Sequence, residues 1–157
     1  MRANQVVISA ACAIAAVSAL AQAPAEPPKP AFDAELAQRL GADEHGMRSY
    51  VLVILKTGPK RMPDGPERNE MFKGHFANIN RLAAEGKLAV AGPLDGVEGR
   101  RGIFVLAVKD LEEARALVAT DPVVIHGEMA AEFHKFYGSA GLMLVNDTHA
   151  RVAKKSF

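Results

Sequence analysis

The stretch YVLVILK, residues Tyr50–Lys56, decides how the folded part of this chain is built. It is short, apolar and rich in β-branched residues, which is typical of a buried strand. A loop with Pro63-Asp64-Gly65 follows, and Pro66 suits the first position of a helix. The pattern predicts that this helix runs to about Glu85, because Gly86 supplies a stop.

The rest of the chain continues with strands and one further helix. Asp110 and Glu113 predict a capping box at the start of that helix, and Pro122 requires it to end by Thr120. The other predicted elements are a strand at Lys87–Ala91 that Gly92-Pro93 ends, a hairpin loop at Leu94–Arg101, a strand at Gly102–Lys109 and a strand near Met129–Tyr137. This order predicts an α+β, ferredoxin-like βαββαβ protomer with both helices on one face of a four-stranded antiparallel sheet.

The N-terminus predicts an export signal. Arg2 precedes an apolar run from Val6 to Leu20, which is shorter than the roughly 20 residues of a membrane span. Ala19-Leu20-Ala21 offers small residues for cleavage before Gln22, and Ala21-Gln22-Ala23 is a second candidate. A retained N-terminal anchor helix is the alternative interpretation.

Four segments follow from these patterns. Residues 1–21 are a signal peptide, 22–48 a proline-rich tether with a short helix, 49–142 the α+β domain and 143–157 a C-terminal tail of ambiguous structure. Cleavage would remove Cys12, the only cysteine, which stands too early in the chain for a lipoprotein signal. We therefore expect a bacterial periplasmic or secreted protein without a stable membrane span after cleavage.

The strands are apolar on both faces. Val51 to Leu55 and Ile103 to Val108 are apolar at every position, whereas a sheet with one wet face alternates. Two helices cover only one face, so the other is expected to be an interface. Sheet-to-sheet homodimerisation is the prediction, and a C-terminal tail folded over the open face is the alternative.

His75 is the first candidate for chemistry. At about 100° per residue it falls between Leu82 and Ile79 on the core-facing side, which also includes Phe76, while Arg81 points to water. Gly74 costs about 1 kcal/mol of helix stability relative to Ala, but it would let another group approach the backbone closely. The alternative is a packed histidine satisfied by one hydrogen bond.

Asp121 is the second candidate, because Pro122 restricts its backbone; a turn residue or a surface acid is the alternative. Arg100 and Arg101 could hold an anionic substrate or simply be solvated. No H-E-x-x-H, P-loop, GxGxxG or zinc spacing is present, so the sequence predicts no metal and no cofactor. The net charge of +1 argues against a nucleic-acid partner.

Several short motifs, in their order and spacing, resemble the YCII-related (YciI-like) domain family. They are Gly74–Ile79, Leu82–Leu88, Ala91–Pro93, Gly102–Phe104, Leu111–Ala114 and Asp121-Pro122. Phe136–Ala140 further resembles the ending of exported members of the family. The proline-rich tether and the export signal depart from the short cytoplasmic members, which leaves a cytoplasmic substrate in doubt.

The resemblance implies a dimeric α+β barrel and a His–Asp pair that maps onto His75 and Asp121. It also implies lyase or isomerase chemistry on small, often aromatic, substrates. The resulting hypothesis is an enzyme in which this pair transfers a proton and Asn78 with Arg100 or Arg101 orients an anionic or phenolic substrate. The alternative is a non-catalytic periplasmic module that binds a small ligand or only dimerises.

The export signal makes a direct prediction about the mature protein. Because cleavage is expected after Ala21, a periplasmic extract should contain a chain that begins at Gln22. Intact-mass analysis of that extract measures the new N-terminus. Full-length chain recovered only from the cytoplasm would contradict the prediction.

Overall fold

The apolar run around Tyr50–Lys56 forms the longest part of a central strand, β1 (Met47–Thr57), in the computed structural model, which describes residues 30–155. The sheet also holds β2 (Leu88–Pro93), β3 (Arg100–Leu106) and β4 (Met129–Ser139), in the order β2-β3-β1-β4. Every neighbouring pair is antiparallel. The predicted signal peptide, 1–21, and residues 22–29 of the predicted tether lie outside the described residues.

Two crossover helices complete the ferredoxin-like unit. These are α2 (Pro66–Ala84) and α3 (Leu111–Val118), so the order β1-α2-β2-β3-α3-β4 confirms the predicted α+β protomer. Three short helices are added to it: α1 (Ala34–Leu40), α4 (Pro122–Ile125) and α5 (Val145–Val152). The described chain from Asp33 onward forms one compact unit.

The main core lies between the sheet and its two crossover helices. It is built from alternate strand residues and the inward side chains of the helices: Val51, Val53, Leu55, Phe104, Leu106, Met71, Leu82, Ala114 and Val118, all buried. Because side chains alternate along a strand, the neighbours of these residues face the other side of the sheet. That second face is where the sequence predicted a partner.

The C-terminal segment covers one end of the second face. Leu142 and Met143, from a 3₁₀ turn at Ala140–Leu144, pack against a buried cluster of Tyr50, Ala89 and Val105. The side-chain amide of Asn146 donates to the backbone oxygen of Leu88 at 2.7 Å. At this end of the face the alternative interpretation, a folded tail, therefore holds, and homodimerisation stays a prediction for the rest.

Several strand boundaries differ from the prediction, and β3 ends at Leu106 rather than at Lys109. β2 continues through Gly92-Pro93, which pair with Ile103 and Gly102 of β3. Proline has no N–H to donate, but β2 is an edge strand and tolerates it there. β3 begins at Arg100, because the segment expected to be a loop up to Arg101 already pairs with β1 across a bulge.

The capping box of α3 is only half formed. The Asp110 side chain accepts from the N–H of Glu113 at 2.8 Å, as the spacing predicts. The Glu113 carboxylate instead accepts from the N–H of Lys109 at 3.2 Å and pairs with Lys87 at 2.7 Å. The cap thus also ties the helix to the turn before β2.

A buried carboxylate joins the start of β4 to the N-terminal half of α2. The Glu128 side chain has no solvent exposure and accepts from the N–H of Met62 at 2.7 Å and from Arg68 at 3.0 Å. A guanidinium nitrogen of Arg101 lies 4.0 Å from the same carboxylate. Burial works to raise the pKa of Glu128, but these hydrogen bonds and positive charges outweigh it and hold the pKa below its usual 4.5.

Glu128→Gln tests this cluster. Removing the charge takes the nearer carboxylate from the partly buried Arg68 guanidinium and leaves it only the exposed Asp64, 3.4 Å away. We therefore expect the free energy of unfolding at neutral pH to fall by about 2–3 kcal/mol. Because the pKa of Glu128 is lower in the folded protein than in the unfolded chain, its carboxylate stabilises the fold fully at a pH above the unfolded pKa of 4.5. This contribution is lost as the pH falls through the lower pKa of the folded state. Urea unfolding should therefore show a steeper acid-induced loss of stability in the wild type than in Glu128→Gln.

Glu132→Gln is the matched control for that experiment. Its carboxylate pairs with Lys56 at 2.8 Å, but both side chains are exposed and water screens the pair. Little change in stability is expected from this variant. An equal loss from both substitutions would contradict the role given to Glu128.

Candidate active site

His75 lies on the side of α2 that faces the sheet, and it is buried there. The buried residues of α2 are Met71, His75, Asn78 and Leu82. Phe76, which the pattern placed on this face, keeps 41% of its surface exposed, so the buried face is rotated from the one that we expected. Phe76 lies at the margin of the buried face, because Met71, His75, Asn78 and Leu82 are the residues of α2 that face the core.

Asp121 sits in the corner between α3 and α4, where backbone and side chain are both held. Its N–H donates to the oxygen of Val118 at 3.0 Å, and its carboxylate accepts from the N–H of Val123 at 3.1 Å. Asp121 is thus the N-cap of α4, with Pro122 at the first helical position. The Asp-Pro pair therefore starts a helix, where the sequence predicts only a turn.

The structure brings His75 and Asp121 together across 46 residues of sequence. The Nδ1 atom of His75 lies 2.8 Å from Oδ2 and 2.9 Å from Oδ1 of Asp121. Because a carboxylate can only accept, Nδ1 carries the proton and a neutral imidazole presents its lone pair at Nε2. Within residues 30–155 no group is hydrogen-bonded to Nε2, and the side chain retains 9% exposure.

Three aromatic rings surround the imidazole. Phe72 meets it edge-on with 6.0 Å between ring centroids, Phe76 lies at 5.5 Å, and Phe104 of β3 lies at 6.0 Å in a near-parallel orientation. Phe72 and Phe76 also line a shallow groove on the outer side of α2. The environment of His75 is therefore apolar and aromatic, apart from the carboxylate at Nδ1.

Asn78 lies one helical turn after His75 and is 8% exposed. Its side-chain oxygen accepts from Arg81 at 2.8 Å and from the hydroxyl of Thr120 at 3.2 Å. Its buried Nδ2 donor has no partner among the described residues. Such a donor costs roughly 1–3 kcal/mol when it stays unpaired, so it is suited to a bound water or a ligand oxygen.

The two candidate arginines have different surroundings. Arg100 pairs with Glu98 at 2.8 Å and lies opposite Lys56, on the face of the sheet that α2 does not cover. Residue 100 is a strand residue rather than a loop tip, and the sheet separates it from the helix-covered side that holds the His–Asp pair. Its role in orienting a substrate stays a prediction. Arg101 reaches Glu128 on the helix-covered side.

Arg68 contacts both the Glu128 carboxylate and the ring of Phe72, one of the aromatic residues around His75. Its guanidinium lies 4.6 Å from the centroid of the Phe72 ring while it donates to Glu128. The sequence analysis missed Arg68, Phe104 and Glu128. Phe104 is one of several apolar residues in its strand, and a lone acid after a turn carries no signal that would single out Glu128.

Other kinds of site find no support in the part of the chain that the structure describes. Residues 30–155 contain no group of three or more His, Cys, Asp or Glu side chains placed to hold a metal ion. In the same range, no helix has both the length and the apolar character needed to cross a bilayer.

Fold and site together define a ferredoxin-like α+β domain with a buried His–Asp pair under its first crossover helix. The YCII-related domain family matches residues 49–132, and the chain belongs to this family. The chain is 30% identical over 81 residues to the "Uncharacterized protein YjpA" of Bacillus subtilis (strain 168), a match that covers 52% of this chain and 85% of that protein.

A solved structure is also similar to this chain. It is the 5-chloro-2-hydroxyhydroquinone dehydrochlorinase TftG from Burkholderia phenoliruptrix AC1100 in complex with 2,5-dihydroxybenzoquinone. The sequence identity is 19%, the alignment covers 55% of this chain and 92% of that chain, and the TM-score is 0.40.

Proposed function

We propose that this chain is a small-molecule enzyme of lyase or isomerase type, in which His75 transfers a proton. The observation that carries the proposal is the contact of 2.8 Å between His75 Nδ1 and Asp121, which leaves Nε2 without a partner among residues 30–155. A solvated surface histidine has no such fixed tautomer. Here one nitrogen is committed to a buried carboxylate and the other remains for chemistry.

The proposed step begins with neutral His75. Its Nε2 lone pair takes a proton from a C–H or O–H bond of the substrate, and the electron pair of that bond stays on the substrate as an enolate or phenolate. The imidazolium that forms is stabilised by the Asp121 carboxylate. Return of the proton to another atom gives isomerisation, whereas departure of a leaving group with the electron pair gives elimination.

The surroundings of His75 favour a planar, largely apolar substrate. Phe72 and Phe76 line the groove along α2 with their ring centroids 6.0 and 5.5 Å from that of the imidazole, which suits stacking against an aromatic or quinone-like ring. Phe104 is buried in the core and supports the imidazole rather than the substrate. We propose that Asn78 Nδ2 binds a substrate oxygen and that Arg101 attracts an anionic substituent. Arg100 has no part in this proposal, because it lies on the other face of the sheet.

His75→Ala tests the proton transfer. Phenylpyruvate and resorcinol serve as probes, because both carry exchangeable carbon-bound hydrogens beside an enol or phenol. The wild type should accelerate deuterium incorporation from D₂O, followed by NMR, and His75→Ala should lose about 10²-fold or more of that rate. Asp121→Asn should also be slower, because an amide does not stabilise the imidazolium as a carboxylate does. The variant should still fold, because the asparagine oxygen can cap α4.

His126→Ala is the matched control, because His126 is exposed at the end of α4 and should leave the rate unchanged. A folded His75→Ala protein with wild-type exchange would return His75 to the role of a packed core histidine. Binding of the probes without any acceleration by the wild type would favour the alternative, a non-catalytic ligand-binding module.

We further propose that the chain forms a homodimer through the second face of its sheet. The tail packs at the end near Tyr50, whereas Ile54 and Ile103 lie outside that buried cluster and remain half-buried. These residues are adjacent across β1 and β3, where Ile54 pairs with Ile103. A second copy would remove this apolar patch from water.

Ile103→Lys tests the dimer. Light scattering should report twice the protomer mass for the wild type and the protomer mass for Ile103→Lys, because a charge would be buried between two sheets. Val97→Lys, at an exposed position of the β2–β3 connection, should leave the mass unchanged. A monomeric wild type at micromolar concentration would contradict the proposal.

We also propose that the mature protein is exported to the periplasm or outside the cell. The proposal rests on the charge, apolar run and small residues of 1–21, and analysis of the mature N-terminus tests it.

A further inference from the structure

Gly74 and Pro122 stand directly beside the two members of the His–Asp pair. Gly74 precedes His75 on α2, and Pro122 follows Asp121 at the start of α4. A Cβ atom built on Gly74 would lie 3.0 Å from Cγ and 3.7 Å from Cβ of Pro122. Carbon atoms pack best at about 3.5–4.0 Å, so the proline ring lies where an alanine methyl group would need room.

The glycine has no explanation in the backbone of α2. Residue 74 lies inside the helix Pro66–Ala84 and has no positive φ, so any residue could adopt its conformation. Glycine there is less favourable than alanine by about 1 kcal/mol. The close approach of Pro122 is the feature that requires the missing side chain.

Hydrogen bonds hold Asp121 in a fixed position relative to α4. Its carboxylate caps the helix at Val123, its backbone oxygen accepts from Val124 and Ile125 at 2.9 Å, and its N–H is tied to Val118. The distance between α4 and α2 therefore sets the distance between the carboxylate and His75. The contact between Pro122 and the bare backbone at Gly74 is where these two helices meet beside the pair.

We propose that Gly74 and Pro122 are positioning residues, which set the spacing of α2 and α4 so that Asp121 reaches His75 Nδ1 at hydrogen-bond distance. The inference deepens the proposed function, since that function rests on the same pair. It concerns only the geometry of the pair, so it can be tested without any turnover.

The experiment measures the Nδ1–H proton of His75 by NMR on the full chain. In the wild type this proton should give a downfield resonance that is protected from exchange with water, because it is held by a buried carboxylate. Gly74→Ala should push the Pro122 ring away by a few tenths of an ångström. We expect an upfield shift and roughly tenfold faster exchange, the change that a loss of about 1.4 kcal/mol in the hydrogen bond produces.

Pro122→Ala supplies the rescue. In the double variant Gly74→Ala/Pro122→Ala, the Cγ atom is gone and the nearest Pro122 atom still present, Cβ, would lie at 3.7 Å, an ordinary contact. The wild-type resonance and protection should return. Pro122→Ala alone should retain them, because the cap at Val123 and the bond to Val118 still hold Asp121.

Gly92→Ala is the matched control. It adds the same methyl group at a glycine in β2 that has nothing within 4 Å of the built Cβ and no positive φ, so it should leave the His75 proton unchanged. An unchanged resonance in folded Gly74→Ala would overturn the proposal, and so would a shift that Pro122→Ala fails to reverse. If Gly74→Ala does not fold, a folded double variant with the wild-type resonance supports the proposal and an unfolded one contradicts it.

These outcomes are distinct from those of the exchange assay with phenylpyruvate and resorcinol. A protein that lacks proton-transfer activity could still show the shift and its rescue, which would reject the function and keep the positioning role. An active protein whose His75 proton resonance is unchanged in Gly74→Ala would support the proposed function and reject the positioning role.

Discussion

The hydrogen bond between His75 and Asp121 joins the two crossovers of the fold. A buried carboxylate is stable only when donors surround it, and Asp121 finds them in the imidazole of α2 and in the first turn of α4. The same contact therefore has two consequences. It links the α2 crossover to the chain that follows α3, and it determines which nitrogen of His75 remains available for chemistry.

The two faces of the sheet differ in what they carry. The helix-covered face holds the main core, the His–Asp pair and the Glu128 carboxylate that anchors Arg68. The second face carries apolar residues together with Lys56 and Arg100, and at one end Leu142 and Met143 of the C-terminal segment cover it. Because the site and the remaining apolar patch lie on opposite sides, a partner on the second face would leave the groove along α2 free.

Much of the fold could be predicted because its signals are local. The β-branched run of β1, the proline at the start of α2 and the Asp110 cap of α3 each act within a few residues, and each has its predicted effect. The failures have tertiary causes. Pro93 remains in β2 because that strand is at the edge of the sheet, and Phe76 stays partly exposed because other residues of α2 meet the core.

The candidate site divides in the same way. The sequence by itself singled out a histidine on a core-facing helix, a glycine next to it that permits a close approach, and an aspartate held before a proline. Only the tertiary structure decided that Pro122 is the approaching group, that Arg100 lies on the far face and that a tail covers part of the sheet. Helix and turn signals depend on neighbours in sequence, whereas these contacts depend on the packing of α2 against α4, on the strand register and on the path of the tail, to which many distant residues contribute.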